Sequence, residues 1–154
     1  MPDILLRAAV IAVVLAVASG LWLLRERRRG QLRPVRAGTA ADSLTLARVR
    51  AAVGPLLDPG ARATLVQLSS ETCTPCRQSA RTWSSLTPHH PGVNFLEIDA
   101  AEHLDLARAF DVLRTPTTLV FDAAGTAVGR VLGPPTPSQA REILAGLHPI
   151  PEYR

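Results

Sequence analysis

The chain has 154 residues, with 17 arginines, no lysine and a net charge of +4. That length leaves room for one domain and an appendage. Residues 1–42 hold seven arginines against three acids, while residues 43–154 hold ten of each. The folded part is therefore neutral, and a nucleic-acid reader, which needs its basic face on the folded module, is excluded.

Ile4 to Leu24 is apolar except for Arg7, Ser19 and Gly20. As a helix it would be about 31 Å long, against a bilayer core of about 30 Å. Arg7 sits near one end and Trp22 near the other, where snorkelling cations and interfacial aromatics belong. Ala16-Val17-Ala18 resembles a signal-peptide cleavage site. The apolar run continues past it through Leu24, which favours a retained transmembrane helix over residues 4–24 and makes the lipid bilayer an expected partner. Arg25, Arg27, Arg28, Arg29, Arg33 and Arg36 follow the segment closely. By the positive-inside rule they place the carboxy-terminal domain of a single-pass cell-membrane protein in the cytoplasm. Residues 25–42 read as an arginine-rich linker, and the domain is expected over 43–150.

From Ser43 the pattern alternates between element types. Leu44, Leu46, Val49 and Val53 predict a helix ended by Gly54-Pro55. Asp58-Pro59-Gly60 predicts a turn. Ala63 to Leu68 is a short, partly β-branched apolar run and predicts a buried strand. Thr74 to Leu86 predicts a helix with Thr74 as its cap, Pro75 in its first turn and Pro88 beyond its end. Val93 to Ile98 predicts a strand and Ala101 to Phe110 a helix. Thr117 to Phe121 and Ala127 to Leu132 predict two strands around the turn Asp122-Ala123-Ala124-Gly125. Pro137 to Leu147 predicts a last helix. The order implies an α/β fold, a mixed sheet with helices on both faces.

Cys73 and Cys76 are the only cysteines, and three chemistries compete for them. A structural bridge would close a loop of a few residues and restrain little of the unfolded chain. A tetrahedral zinc site needs two more ligands. There is no second C-x-x-C, and His89-His90 fits no finger spacing, so no metal is expected. A reactive dithiol fits the context. Cys73 follows a buried strand and Cys76 lies in the first turn of the next helix. Unpaired N–H groups and the positive end of the dipole there raise the thiolate fraction. Cys73 is then the attacking sulfur and Cys76 the resolving one.

Five motifs in order, ATLVQL, SSETCTPC, FLEID, AFDVLRTPTTLVF and the glycine of VLGPP, make the chain resemble the thioredoxin family over residues 43–148. The resemblance implies a thioredoxin-like mixed β-sheet flanked by helices and exchange between the Cys73–Cys76 pair and protein thiols or disulfides. It implies no bound cofactor, and an electron donor or acceptor that the sequence does not name. Pro116 resembles the family's cis-proline facing the dithiol. Thr115 would present its backbone to a peptide, beside Thr74 and Pro75, and Gly133 resembles the glycine that leaves room for substrate. Three positions depart from the pattern. Thr72 replaces the usual aromatic residue, Gln67 stands where the family has a buried aspartate, and Phe95 stands where it often has lysine. In the family that aspartate assists deprotonation of the second cysteine, and Gln67 cannot take up a proton.

Two other functions remain open at this level. One is an extracytoplasmic thiol reductant of the cytochrome c maturation type. The other is a redox-sensing or redox-inert docking module for a membrane partner.

Overall fold

The computed structural model describes residues 2–27, 29–35, 45–54 and 61–147; within the first helix the described side chains are those of Leu6, Arg7 and residues 9–24. The expected domain start at Ser43, residues 36–42 of the stem, the Asp58-Pro59-Gly60 turn, and His148 through the expected domain end at 150 lie outside the described residues. So do Arg28, Arg36 and the side chains of Arg25 and Arg27.

The elements run α1 (Pro2–Arg27), β1 (Leu32–Pro34), α2 (Leu46–Val53), β2 (Ala63–Ser69), α3 (Thr74–Leu86), a 3-10 turn (Thr87–His89), β3 (Val93–Asp99), α4 (Leu104–Ala109), β4 (Thr117–Asp122), β5 (Ala127–Leu132) and α5 (Pro137–Gly146). The strands form one sheet in the order β1-β5-β4-β2-β3. β2 and β3 pair in parallel, and the other neighbours pair antiparallel.

All seven residues of β2 are buried, as expected of a strand covered on both faces. Its side chains divide by the two-residue period. Val66 and Leu68 join Leu46 and Val49 of α2, Leu106 of α4, Phe110 and Phe121. Ala63 and Leu65 join Trp83 of α3 and Ala140, Ile143 and Leu144 of α5. Phe110 and Phe121 meet edge to face, with ring centroids 5.8 Å apart. The α3 face turns polar towards the carboxyl end of β2, where Gln67 and Ser69 are buried together with Thr118 of β4 and Ser79 of α3.

Three expectations shift for local reasons. The helix expected from Ala101 starts at Leu104, because Asp99 Oδ1 accepts the Ala101 N–H at 2.6 Å and holds the chain in a turn. Thr74 is not the cap of α3: Cys73 is, its sulfur accepting the Cys76 N–H. The stem expected as a linker contributes β1, whose Leu32 and Pro34 pair with Val131 and Gly129. Around it Gly30 N–H donates to Leu132 O at 3.0 Å and Val35 N–H to Val128 O at 3.3 Å. Gln139 Nε2 donates to Arg29 O at 3.0 Å. A Cβ on Gly129 would come within 2.7 Å of Leu32 Cδ1 and 3.2 Å of Arg33 O, so glycine lets β1 lie this closely without moving the Leu32 side chain. Pro34 suits an edge strand, but three residues give no alternation to read.

The transmembrane reading of residues 4–24 gains no support from the described residues, among which no helix is long and apolar enough to cross a membrane. α1 as a whole has 26 residues. Its described large apolar side chains, from Leu6 to Leu24, are exposed between 52% and 65%.

Candidate active site

The seven residues singled out from the sequence gather at one end of the sheet. β2 ends there, β4 begins there, and β5 ends beside β4, with Thr117 paired to Leu132. The cysteines form a disulfide with Cα atoms 5.2 Å apart. Cys73 is partly exposed and Cys76 is buried at 1%. That asymmetry is what an attacking and a resolving sulfur require.

The turn of chain around the pair is fixed by backbone bonds. Cys73 N–H donates to Ser70 O at 3.1 Å, and Cys73 O accepts from Cys76 and Arg77 N–H. The Cys76 N–H also reaches Cys73 Sγ at 3.2 Å. On reduction that donor and the helix dipole would stabilise negative charge on Sγ. Thr74 and Pro75 are exposed on the rim of this turn. Arg77 is held beside it, donating to Thr74 Oγ1 at 2.9 Å and to Glu71 O at 3.3 Å.

Opposite lies the Thr115–Pro116 peptide, which is cis. Thr115 Oγ1 is 3.8 Å from Cys73 Sγ. Pro116 O accepts the Gly133 N–H at 2.9 Å, and Gly133 has φ +84°. Gly133 thus ties the end of β5 to the proline loop. Leu113, in the same loop, is 87% exposed. The end of α1 also borders it: Leu21, Trp22, Leu24, Arg29 and Arg33 line an open cavity of about 640 Å³ with Arg114 and Leu132.

Beneath the pair is a polar network absent from the sequence reading. Gln67 Nε2 lies 2.8 Å from Ser69 Oγ, 3.1 Å from Cys76 O and 3.0 Å from Glu97 Oε1. One amide nitrogen has two protons for these three acceptors. Ser69 Oγ–H donates to Glu97 Oε1 in a short bond. Gln67 and Glu97 are register partners on the parallel strands β2 and β3.

A strand–dithiol–helix turn facing a cis-proline loop across a mixed sheet now has its geometry in place. Residues 56–145 match the thioredoxin family. The chain belongs to the thioredoxin family. It is 31% identical over 87 residues to a thioredoxin H-type of Populus jackii, covering 56% of this chain and 62% of that protein. It is 25% identical over 95 residues to thioredoxin H9 of Arabidopsis thaliana, covering 62% and 67%. The chain thus spans less than two thirds of the length of the Populus thioredoxin. Among solved structures, mitochondrial thioredoxin 3 of Saccharomyces cerevisiae superposes with a TM-score of 0.54 at 20% identity, over 70% of this chain and 99% of that one. Fasciola hepatica thioredoxin gives 0.53 at 22% identity, over 66% and 89%. These two likenesses are of fold.

Against the family pattern, Gln67 keeps the position of the buried acid, and the carboxylate reaching it comes from the neighbouring strand. The signal for Glu97 was present in FLEID. Phe95 packs against the α3 face of the core, and two residues on, Glu97 must face the same way.

Proposed function

We propose that this thioredoxin-family chain is a thiol–disulfide oxidoreductase tethered to a membrane by residues 4–24. Its Cys73–Cys76 pair exchanges with cysteines of protein substrates. The observation that carries the reading is the pairing of a half-exposed Cys73 with a buried Cys76 at the start of α3, opposite Thr115 and cis Pro116.

Exchange proceeds in two displacements. Cys73 thiolate attacks a substrate disulfide, forming a mixed disulfide and releasing one substrate thiolate. Cys76, as thiolate, then attacks Cys73 Sγ, releasing the second and closing the Cys73–Cys76 bridge. The reverse sequence oxidises a substrate dithiol. The Thr115–Pro116 backbone offers an extended peptide a short antiparallel contact. Leu113 offers it apolar surface, and Gly133 leaves the far side open.

The tether rests on the sequence of the whole segment Ile4–Leu24, on its lying within one continuous helix, and on apolar side chains exposed all round it. A helix apolar on every face needs either a protein core or a bilayer around it. The following arginines favour a cytoplasmic domain. With the end of α1 next to the proline loop, the groove would sit near the headgroups, suiting substrates whose cysteines lie close to the membrane. An extracytoplasmic reductant of apocytochrome thiols is the same chemistry on the other side, and reporter fusions to the carboxy terminus separate the two.

The first test equilibrates the full chain, in detergent, with glutathione and dithiothreitol buffers and counts free thiols by alkylation. A reversible two-electron transition between about −270 and −120 mV is expected. A midpoint at the low end of that range or below it marks a reductant, and the absence of any reversible dithiol transition overturns exchange and leaves a docking module. Alkaline carbonate extraction of membranes tests the tether, and release of the chain into the supernatant overturns it.

A further inference from the structure

We infer that Glu97 is the proton acceptor for Cys76, taking over from β3 the task that an acid at position 67 would perform from β2. This rests on the exchange reading above and extends it to the resolving step.

Three observations converge on Glu97. First, its carboxylate bonds the amide that lies directly under Cys76: Gln67 Nε2 is 3.0 Å from Glu97 Oε1 and 3.1 Å from Cys76 O. Second, Ser69 Oγ donates to the same Glu97 oxygen, so a hydroxyl and an amide both orient it. Third, Cys76 and Glu97 share the wall of one open cavity of about 220 Å³, together with Ser69, Ser70, Glu71, Arg77 and Asp99. A cavity of that size, with the Ser69 hydroxyl and the Glu97 carboxylate on its wall, has room for the water that a proton would cross. Gln67 is fully buried and its Oε1 has no hydrogen-bond partner among the described residues. Held through Nε2 by Ser69, Cys76 O and Glu97, the Gln67 amide positions Glu97 and, being non-basic, does not take up the proton itself.

The charged groups facing the cavity are Glu71, Arg77, Glu97 and Asp99. Arg77 is turned to Thr74 and to the Glu71 carbonyl. Asp99 Oδ1 is engaged by the Ala101 N–H. Glu97 alone among them is bonded to the amide beneath Cys76.

The step balances as follows. In the mixed disulfide, the Cys76 thiol gives its proton through a cavity water to the Glu97 carboxylate. The Cys76 thiolate attacks Cys73 Sγ, the Cys73–substrate S–S bond breaks, and the Cys73–Cys76 bond forms. The substrate leaves as thiolate and takes up a proton from solvent, and Glu97 then loses its own to solvent. Two electrons pass from the dithiol to the substrate disulfide.

The test uses the reduced full chain in detergent with excess oxidised glutathione. Acid quench and mass spectrometry separate formation of the Cys73–glutathione mixed disulfide from its resolution, across pH 6 to 9. Glu97→Gln should slow resolution about 100-fold near neutral pH, within the usual range for general acid–base catalysis. It should leave formation of the mixed disulfide unchanged. The remaining resolution rate should climb about tenfold per pH unit as the Cys76 thiol ionises unaided. Glu97→Asp should recover part of the rate, and Asp99→Asn should resolve like the parent. Resolution by Glu97→Gln at the parent rate and pH profile overturns the inference. So does a slowing of both steps together with an unchanged profile, the mark of a structural role. If the parent chain forms no mixed disulfide, the exchange reading itself has failed.

Discussion

Gln67 on β2 and Glu97 on β3 are register partners whose side chains meet 3.0 Å apart beneath Cys76. The amide links a carboxylate on the outer strand to the carbonyl of the resolving cysteine. The site therefore keeps a carboxylate linked, through the Gln67 amide, to the backbone of the second cysteine although β2 itself contributes none.

The division of labour between the two sulfurs is directly testable. Cys76→Ser should trap the mixed disulfide with substrate, because Cys73 still attacks and nothing resolves. Cys73→Ser should form none, because Cys76 is buried at 1%. Mass spectrometry after incubation with oxidised glutathione checks both.

Trp83 anchors α3 to the sheet. It is fully buried, packs in the cluster with Leu65, Val120 and Leu144, and donates its Nε1–H to Thr118 Oγ1 at 3.2 Å. Trp83→Ala should cost about 3–5 kcal/mol through the cavity it leaves. The orphaned Thr118 hydroxyl adds to that cost. Urea unfolding monitored by circular dichroism measures it, and a loss below about 1 kcal/mol would contradict the packing.

The docking of β1 depends on Gly129. Gly129→Val puts a Cβ within 2.7 Å of Leu32 Cδ1 and 3.2 Å of Arg33 O, so the Leu32 side chain must turn aside and the β1 backbone give by a few tenths of an ångström, which loosens the strand. Amide exchange at Gly30 and Val35, which bond to Leu132 O and Val128 O, should then accelerate. Exchange along β2 should stay slow.

Helix α5 starts with a reciprocal box in which Thr136 Oγ1 accepts the Gln139 N–H at 3.3 Å and Gln139 Oε1 accepts the Thr136 N–H at 2.9 Å. Thr136→Ala should lower stability by about 1 kcal/mol. Thr136→Ser should recover most of it. Thermal denaturation distinguishes the two variants.

Much of this arrangement is written locally in the sequence. Pro75 in the first turn and Pro88 beyond the last bracket α3, so its span, Thr74–Leu86, follows from the pattern. The short, partly β-branched apolar run ATLVQL and the Asp122–Gly125 turn likewise locate β2 and the β4–β5 hairpin, because turn and strand signals act over a few residues. The cap was misread because a sulfur was not considered as an acceptor. β1 has no pattern of its own in Leu32-Arg33-Pro34 and is a strand by virtue of its pairing with Val131, Arg130 and Gly129 of β5.

By itself, then, the sequence determined the dithiol, its strand–helix setting and the family's order of elements. Each of those depends on residues near one another in the chain. The tertiary structure alone decided that the stem docks on β5 and that the Glu97 carboxylate bonds the Gln67 amide beneath Cys76. Both facts arise from register between distant segments. Leu32 meets Val131 only across the sheet edge, and Gln67 meets Glu97 only because two parallel strands, thirty residues apart, align in step.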